Sequence, residues 1–323
     1  MVDGDLESTA MRLESVREVK AQLAAPGPQA QDAGGAGLAG VALGARPVDG
    51  GEYRLAVRVQ DREAMRGPLI GRIEAAARGE VDVRYVGRVV KRDAPFFQAR
   101  RRPLVIGASV SHFAVTAGTL GAFVRTSDGG LHLLSNNHVL ADENRGRAGD
   151  AILQPGTADG GRDPQDRIAS LASFVELAEN RANAVDAALA RIAEGIDIDA
   201  GTLLDAGSLA GGALAPSEAT EVEKVGRTTG HTVGRVTAFE LDGVEVAYDA
   251  FPALRFDDQV EVEGTGPGPF SQGGDSGSLI FSADGLQAVA LLFAGGEEGG
   301  VDVTYGNPIG AVLEALGGEL VTR

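Results

Sequence analysis

Cysteine is absent from the 323 residues, so the chain can form neither disulfide bonds nor thiolate metal sites. No run reaches the about 18 consecutive apolar residues that a membrane helix requires. The N-terminal stretch MVDGDLESTAMRLESVREVK is charged throughout and lacks the apolar segment of a secretory signal. These three absences together predict a cytoplasmic protein without a membrane partner.

The charge is unevenly distributed along the chain. Residues 1–103 contain 17 Lys and Arg against 14 Asp and Glu, whereas residues 104–323 contain 12 against 32. A part with a net charge of −20 is repelled by phosphate backbones and anionic lipids. The expected partners are therefore proteins or peptides, and no nucleic acid is expected.

The length of 323 residues favours two or three structural units, and a hydrophobic content of 43% is sufficient for ordinary cores. The pattern predicts an amphipathic helix over residues 6–25, and residues 1–37 are expected to form this helix and a flexible linker. Residues 38–94 predict a small α+β domain with the order strand, strand, helix, strand. The N-terminal region is the candidate surface for a regulatory partner or for self-association.

The segment KRDAPFFQARRRP combines two prolines with three consecutive arginines at its end. We expect residues 95–103 to be a solvated linker between domains, and a cleavage site is the alternative interpretation. From residue 104 onward, short apolar runs alternate with Gly, Asp-Gly and Pro. This pattern predicts a mainly β body, and only the NPIGAVLEALGGEL segment is typical of a helix, from Pro308 to Gly317.

Only four histidines are available as a general base. His112, His132 and His231 lie within strand-like or turn segments and are expected to be packed or surface residues. His138 differs, because LLSNNHVLAD ends a strand and turns at the imidazole. His138 is therefore the candidate base.

The stretch SQGGDSGSLIF surrounds Ser276 with glycines. A serine nucleophile requires a base, an acid that orients the base, and donors for the oxyanion. A tight turn directs the Gly274 and Ser276 amides at one point, and Gly277 lets the chain leave without a side-chain clash. We therefore expect a constrained turn that holds a nucleophile.

The segments NNHVL and GDSGS resemble the two signature blocks of chymotrypsin-like (trypsin-like) serine proteases, over about residues 104–323. The order His, Asp, Ser matches that family. The resemblance implies two antiparallel six-stranded β-barrels, about 104–215 and 216–323, and a C-terminal helix. It also implies a serine endopeptidase without cofactor or metal, with a catalytic triad of His138, Asp186 and Ser276.

Asp186 in NAVDAALARI precedes an apolar strand, as the family's aspartate does. Asp197 and Asp199 are the rivals, and a helix cap is the alternative interpretation of Asp186. By resemblance to bacterial streptogrisin-like members, Lys224 before GRTTG pairs with Asp275. Such a pair would keep the oxyanion loop formed without cleavage of the chain.

Counting back six residues from Ser276 places Phe270 at the base of the specificity pocket that the resemblance implies. Leu292, Phe293 and Ala294 follow as substrate-binding residues on the strand ALLFAGG. Without an aspartate at position 270, we expect a small or apolar side chain in this pocket and no preference for basic residues. The alternative function is a latent or non-catalytic protein that uses the protease fold to bind peptides or act as a scaffold, and an esterase is a further chemical possibility.

Overall fold

The structure is a computed structural model. It describes residues 11–24, 40–60, 64–65, 67–86, 95–298 and 301–322. The chain divides into two compact units, an N-terminal unit, Met1–Asp93, and a C-terminal unit, Ala94–Arg323.

The N-terminal unit is a three-stranded sheet with two helices. Its elements are α1 (Leu13–Ala24), β1 (Val41–Val48), β2 (Glu52–Val59), α2 (Pro68–Ala76) and β3 (Val81–Tyr85). Strands β1 and β2 are antiparallel and meet at a turn with Gly50 and Gly51 at positive φ, whereas β2 and β3 are parallel and are joined through α2. The order strand, strand, helix, strand is the expected one. Residues 6–10 of the expected first helix and the expected linker after it lie outside the described residues.

The C-terminal unit is almost entirely β. Its strands are β4 (Leu104–Val105), β5 (Ser109–His112), β6 (Gly118–Thr119), β7 (Ala122–Thr126), β8 (Leu131–Ser135), β9 (Ala151–Leu153), β10 (Arg167–Phe174), β11 (Ala188–Ile192), β12 (Ile198–Asp199), β13 (Thr202–Leu203), β14 (Gly207–Ser208), β15 (Glu221–Gly226), β16 (Gly230–Leu241), β17 (Val244–Val246), β18 (Leu254–Phe256), β19 (Gln259–Gly264), β20 (Leu279–Ser282), β21 (Ala288–Glu298), β22 (Val301–Pro308) and β23 (Gly318–Val321). The helices are α3 (Asn137–Leu140) and α4 (Ile309–Leu316).

The second half of this unit is a closed barrel of six strands, in the order β15, β16, β19, β22, β21, β20. Its interior is filled by side chains of these strands, among them Val222, Val262 and Ile280, and by Phe270 from the loop after β19. This barrel matches the six-stranded barrel expected from residue 216 onward.

The first half is an eight-stranded sheet in the order β23, β7, β8, β11, β10, β9, β5, β6. Its large core includes Phe123, Leu134 and Leu189. The sheet therefore has two more strands than the expected six, and one of them, β23, is contributed by the C-terminus. The mainly β class with a C-terminal helix is confirmed.

The last strand, β23, follows helix α4 and was not expected from the sequence. Pro308 precedes the helix, and Gly317 ends it with a φ of 66°. The GEL residues that follow continue as β23, which pairs antiparallel with β7. The chain therefore returns from the closed barrel to the first sheet.

The segment before β4 packs as part of the C-terminal unit and differs from the solvated linker expected over 95–103. Phe97 is buried in the core of the first sheet. The amide of Arg101 donates to Gln154 Oε1 at 2.8 Å, and Gln154 Nε2 donates to the carbonyl of Ala99 at 2.9 Å. An aromatic side chain and a buried amide thus fix this segment. No helix in the described part of the chain is long and apolar enough to cross a bilayer.

Candidate active site

His138 lies in the one-turn helix α3, directly after strand β8. Its Nδ1 is 2.6 Å from Oδ2 of Asp186, which is fully buried at the start of strand β11. Because a carboxylate can only accept, Nδ1 carries the hydrogen and Nε2 is left as the free acceptor of the ring. The predicted contact between these two residues is therefore present.

The two asparagines before His138 hold this carboxylate in place. The amide of Asn137 donates to Asp186 Oδ1 at 2.6 Å, and the Asn136 side chain donates to the Asp186 carbonyl at 2.8 Å. The Asp186 amide in turn donates to the Asn307 side chain at 2.9 Å. A buried carboxylate requires such partners, which explains why polar residues occupy the NNH turn.

Tyr248 supplies a further hydrogen bond that sequence reasoning missed. Its hydroxyl donates to Asp186 Oδ2 at 2.8 Å, the same oxygen that accepts from His138. Burial and the charge of Asp186 raise the pKa of Tyr248 well above its ordinary value, so the hydroxyl stays protonated. Tyr248 lies between β17 and β18, and no local motif marks it.

The electrostatics of the pair raise the pKa of the imidazole. Burial alone would lower the pKa of His138, but the charge and hydrogen bond of Asp186, with a smaller contribution from Glu143, raise it above the ordinary value. An imidazolium that forms at His138 is therefore stabilised.

The other histidines and acids that the sequence offered lie elsewhere. His112 pairs with Asp150, His231 pairs with Glu223, and His132 is buried beside Gly130. Asp199 accepts amide hydrogens of its own turn. Among the described residues, neither Asp197 nor Asp199 bonds to a histidine.

Ser276 lines a cavity that borders the one lined by His138, and in the described part of the chain no hydrogen bond joins the two side chains. The amide of Thr119 donates to the Ser276 carbonyl at 2.8 Å. A side chain at Gly118 would collide with Val139, which follows His138, and would lie 3.0 Å from that carbonyl. The serine backbone and the histidine helix therefore pack on either side of Gly118.

The turn around Ser276 is constrained by two glycines with positive φ, 95° at Gly274 and 92° at Gly277. A side chain at Gly277 would clash with the hydroxyl of Ser135. Within the described part of the chain, neither the Gly274 amide nor the Ser276 amide donates a hydrogen bond. Both amides are therefore free to bind an anionic oxygen.

Asp275 is anchored beneath this turn. Its carboxylate accepts the amides of Thr228, Thr229 and Gln272 at 2.8, 3.2 and 3.0 Å, and the Thr229 hydroxyl at 2.7 Å. Lys224 Nζ lies 3.5 Å from Asp275 Oδ2, and both side chains are fully buried.

Lys224 is also bonded to its surroundings. Its Nζ donates to the Thr229 hydroxyl and to the Gly230 carbonyl. Burial lowers the pKa of Lys224, and the charge and hydrogen bond of Asp275 oppose that effect. The predicted pair is present and joins strand β15 to the loop before Ser276.

A second ion pair ties the two halves together beside this loop. Arg227 binds both carboxylate oxygens of Asp159 at 2.6 Å. The Thr119 hydroxyl donates to the Gly274 carbonyl at 2.9 Å, and the Arg227 amide donates to the Thr119 hydroxyl at 3.1 Å. Contacts from the first sheet thus also hold the glycine turn.

Two cavities meet along strand β21. One, of about 670 Å³, is lined by His138 and Tyr248, and the other, of about 680 Å³, is lined by Ser276. Ala294, Gly295 and Gly296 border both. The His138 and Ser276 side chains therefore line two adjoining parts of one cleft.

The predicted substrate-binding residues divide between these cavities. Leu292 and Ala294 line the cavity beside Ser276, whereas Phe293 lines the one beside His138. Phe270 is fully buried in the core of the closed barrel and lines neither. Ser271, Gln272 and Asp302 border the Ser276 cavity instead, because the Phe270 side chain packs into the barrel core.

The closed six-stranded barrel, the opposing sheet and the crevice between them decide the architecture. The fold is chymotrypsin-like. No protein-family model and no curated protein matches the chain. Among solved structures, it is similar to Thermobifida fusca Protease A (17% identity, 68% of this chain and 98% of that chain, TM-score 0.48) and to Cellulomonas bogoriensis chymotrypsin (21%, 68% and 98%, 0.46). It is also similar to Nocardiopsis protease, with 18% identity over 68% of this chain and 98% of that chain and a TM-score of 0.48.

Proposed function

We propose that the C-terminal unit of this chymotrypsin-like protein is a serine endopeptidase with Ser276 as nucleophile. The observation that carries the proposal is the Asp186 to His138 hydrogen bond, which leaves Nε2 as a free acceptor in a cavity that borders the one lined by Ser276. The two free amides of Gly274 and Ser276 support it. Proteins or peptides are the proposed substrates.

In the first half of the reaction, Ser276 Oγ attacks a peptide carbonyl while His138 Nε2 takes its proton. Asp186 keeps the ring in the required tautomer and stabilises the imidazolium. The Gly274 and Ser276 amides hold the oxyanion, and His138 then protonates the leaving amine. The product is an acyl-enzyme at Ser276.

In the second half, His138 removes a proton from water, which attacks the acyl carbonyl. The same two amides stabilise the second oxyanion, and the proton returns to Ser276 as the carboxylic acid leaves. Each step uses only side chains and amides of this chain.

The buried pair of Lys224 and Asp275 supports an enzyme that is competent without cleavage of the chain. Four donors and one cation hold the Asp275 carboxylate, and the glycine turn above it is already formed. This arrangement favours the enzyme over the latent or scaffold alternative, in which the oxyanion site need not be formed.

An endopeptidase produces new internal termini from an unfolded protein substrate, which mass spectrometry identifies. We expect the wild type and the exposed-serine control Ser208→Ala to produce the same fragments. Ser276→Ala should produce none. Identical fragments from Ser276→Ala would refute the assignment, and no fragments from the wild type would favour the peptide-binding alternative.

Replacing Tyr248 with phenylalanine should lower kcat by about 10-fold, because a hydrogen bond to a buried charge contributes on this scale. KM should change little, since the ring remains in the cleft. The loss of the hydroxyl dipole beside Asp186 should also shift the pH midpoint of kcat/KM upward by less than about one unit. This midpoint reports His138, whose neutral form is the base, so activity rises with pH through its raised pKa.

The matched control for this change is Tyr305→Phe. Tyr305 lines the same cavity, but its hydroxyl donates to Glu261. We expect this variant to keep the wild-type pH midpoint. If Tyr248→Phe also kept both kcat and the midpoint, Tyr248 would not position the acid.

A further inference from the structure

Among the described residues that line the cavity beside Ser276, Asp302 is the one with a charged side chain. This residue lies near the start of strand β22 and is half-buried. The other residues that line the cavity are uncharged, and they include Thr228, Gln272 and Leu292. A negative charge therefore faces the space where the substrate residue preceding the cleaved bond would enter.

Asp302 has one unused oxygen. Its Oδ2 accepts the amide of Phe270 at 3.1 Å, whereas its Oδ1 has no hydrogen-bond partner among the described residues. No Lys or Arg in the described part of the chain forms an ion pair with it. A partly buried carboxylate without a cation is unfavourable unless a ligand supplies the charge.

The walls of the cavity leave room for a long side chain. A Cβ added to Gly273 or Gly296 would meet no atom within 4 Å. Residues 271–273 form one wall of the cavity. The Phe270 amide before this wall binds Asp302, and Ser276 comes after the wall in the chain. Ser276 and Asp302 line one cavity of about 680 Å³, so a side chain that enters it beside Ser276 shares this space with the carboxylate.

The cavity next to it, at His138, is also lined by acidic residues. Glu143, Glu245 and Asp249 line the neighbouring cavity at His138, and none of the described residues that line the two cavities is a Lys or Arg. The Glu143 carboxylate accepts the backbone amides of Asp249 and Ala250, which hold it at this cavity. Such a cleft concentrates cationic substrates and repels acidic ones.

From these observations we infer that the cavity beside Ser276 selects lysine or arginine at the substrate residue before the cleaved bond, through Asp302. The inference rests on the proposed endopeptidase function. It reverses the apolar preference expected from the sequence, since that expectation used Phe270, Phe293 and Ala294, whereas the carboxylate comes from strand β22. An acidic side chain would meet repulsion at Asp302, and an apolar one would leave the carboxylate unpaired.

A binding measurement tests the cavity without catalysis. Calorimetry on Ser276→Ala should show that the cation benzamidine binds at least about 10-fold more tightly than neutral benzamide, which has nearly the same shape. The further change Asp302→Asn should remove this difference, because the asparagine oxygen can still accept from Phe270 but carries no charge. Asp205→Asn, which removes one exposed charge in a distant turn, should leave the difference intact.

Cleavage of a peptide library by active protein tests the same inference in catalysis. Lys and Arg should dominate before the cleaved bond, and Asp302→Asn should lower kcat/KM for them by about 100-fold while sparing neutral residues. Equal binding of benzamidine and benzamide, or a library profile dominated by apolar or acidic residues, would overturn the inference. If internal bonds are still cleaved through Ser276, either result overturns only the role of Asp302 and leaves the proposed endopeptidase function standing. Failure of the inference and failure of the proposed function are therefore distinguishable.

Discussion

Replacing His138 with alanine is expected to lower kcat by about a million-fold, and adding Ser276→Ala should cost no more, because nucleophile and base act as one unit. Asp186→Asn should cost about 10,000-fold, since the asparagine would hold the wrong tautomer of His138. Initial rates on one peptide substrate, measured above the uncatalysed background, give all three values.

The control for this series is His231→Gln. His231 pairs with Glu223 and lines neither cavity of the cleft, so its loss should leave kcat unchanged. A His138→Ala variant within about 10-fold of the wild type would show that another group is the base. If the fold loss of kcat in the double variant equalled the product of the two single losses, Ser276 and His138 would act independently, contrary to the mechanism.

Lys224→Met is expected to lower the free energy of unfolding by about 3–5 kcal/mol, because it leaves the fully buried Asp275 without its cation. Asp275 also supports the turn that carries the Gly274 and Ser276 amides. Activity should therefore fall more steeply than the folded fraction. Chemical denaturation gives the free energy of unfolding. The kcat measured under conditions where the protein is folded gives the separate effect on the site.

The double variant Lys224→Met with Asp275→Asn is the control, because it also removes the negative charge. We expect it to recover part of the lost stability, since asparagine can still accept some of the four hydrogen bonds. Its activity should stay low if the charged pair shapes the oxyanion turn. A Lys224→Met protein with wild-type stability and activity would disprove this role.

Those residues that lie in short local patterns were predictable from the sequence. The imidazole follows NN at the end of a strand, the serine lies between glycines with positive φ, and Asp186 directly precedes a strand. In each case the neighbouring residues provide the turn or the hydrogen bonds that the group needs. Lys224 was found through the resemblance of its segment, before GRTTG, to streptogrisin-like proteases.

Tyr248 and Asp302 could not be found in this way. Tyr248 is 62 residues after Asp186, and only the packing of the β17 to β18 hairpin brings it to the carboxylate. Asp302 follows Ser276 by 26 residues and reaches the cavity because β22 pairs beside β21. Both contacts depend on tertiary structure, which leaves no periodic or motif signal.

The fold shows the same limit. Alternating strands and turn glycines predicted a mainly β body, and Pro308 with Gly317 bounded the last helix. The pairing of β23 with β7 joins residues almost 200 positions apart and carries no local signal. For residues 95–103, the arginines suggested solvent exposure, whereas burial of Phe97 decided the packing.

The most direct test of the central claim is the site of reaction with a fluorophosphonate, mapped by peptide mass spectrometry. The reagent phosphonylates a serine only when a nearby base activates it. We predict one adduct, on Ser276, whose formation is abolished in His138→Ala and slowed in Asp186→Asn. An adduct on another residue, or labelling of Ser276 at an unchanged rate in His138→Ala, would contradict the account.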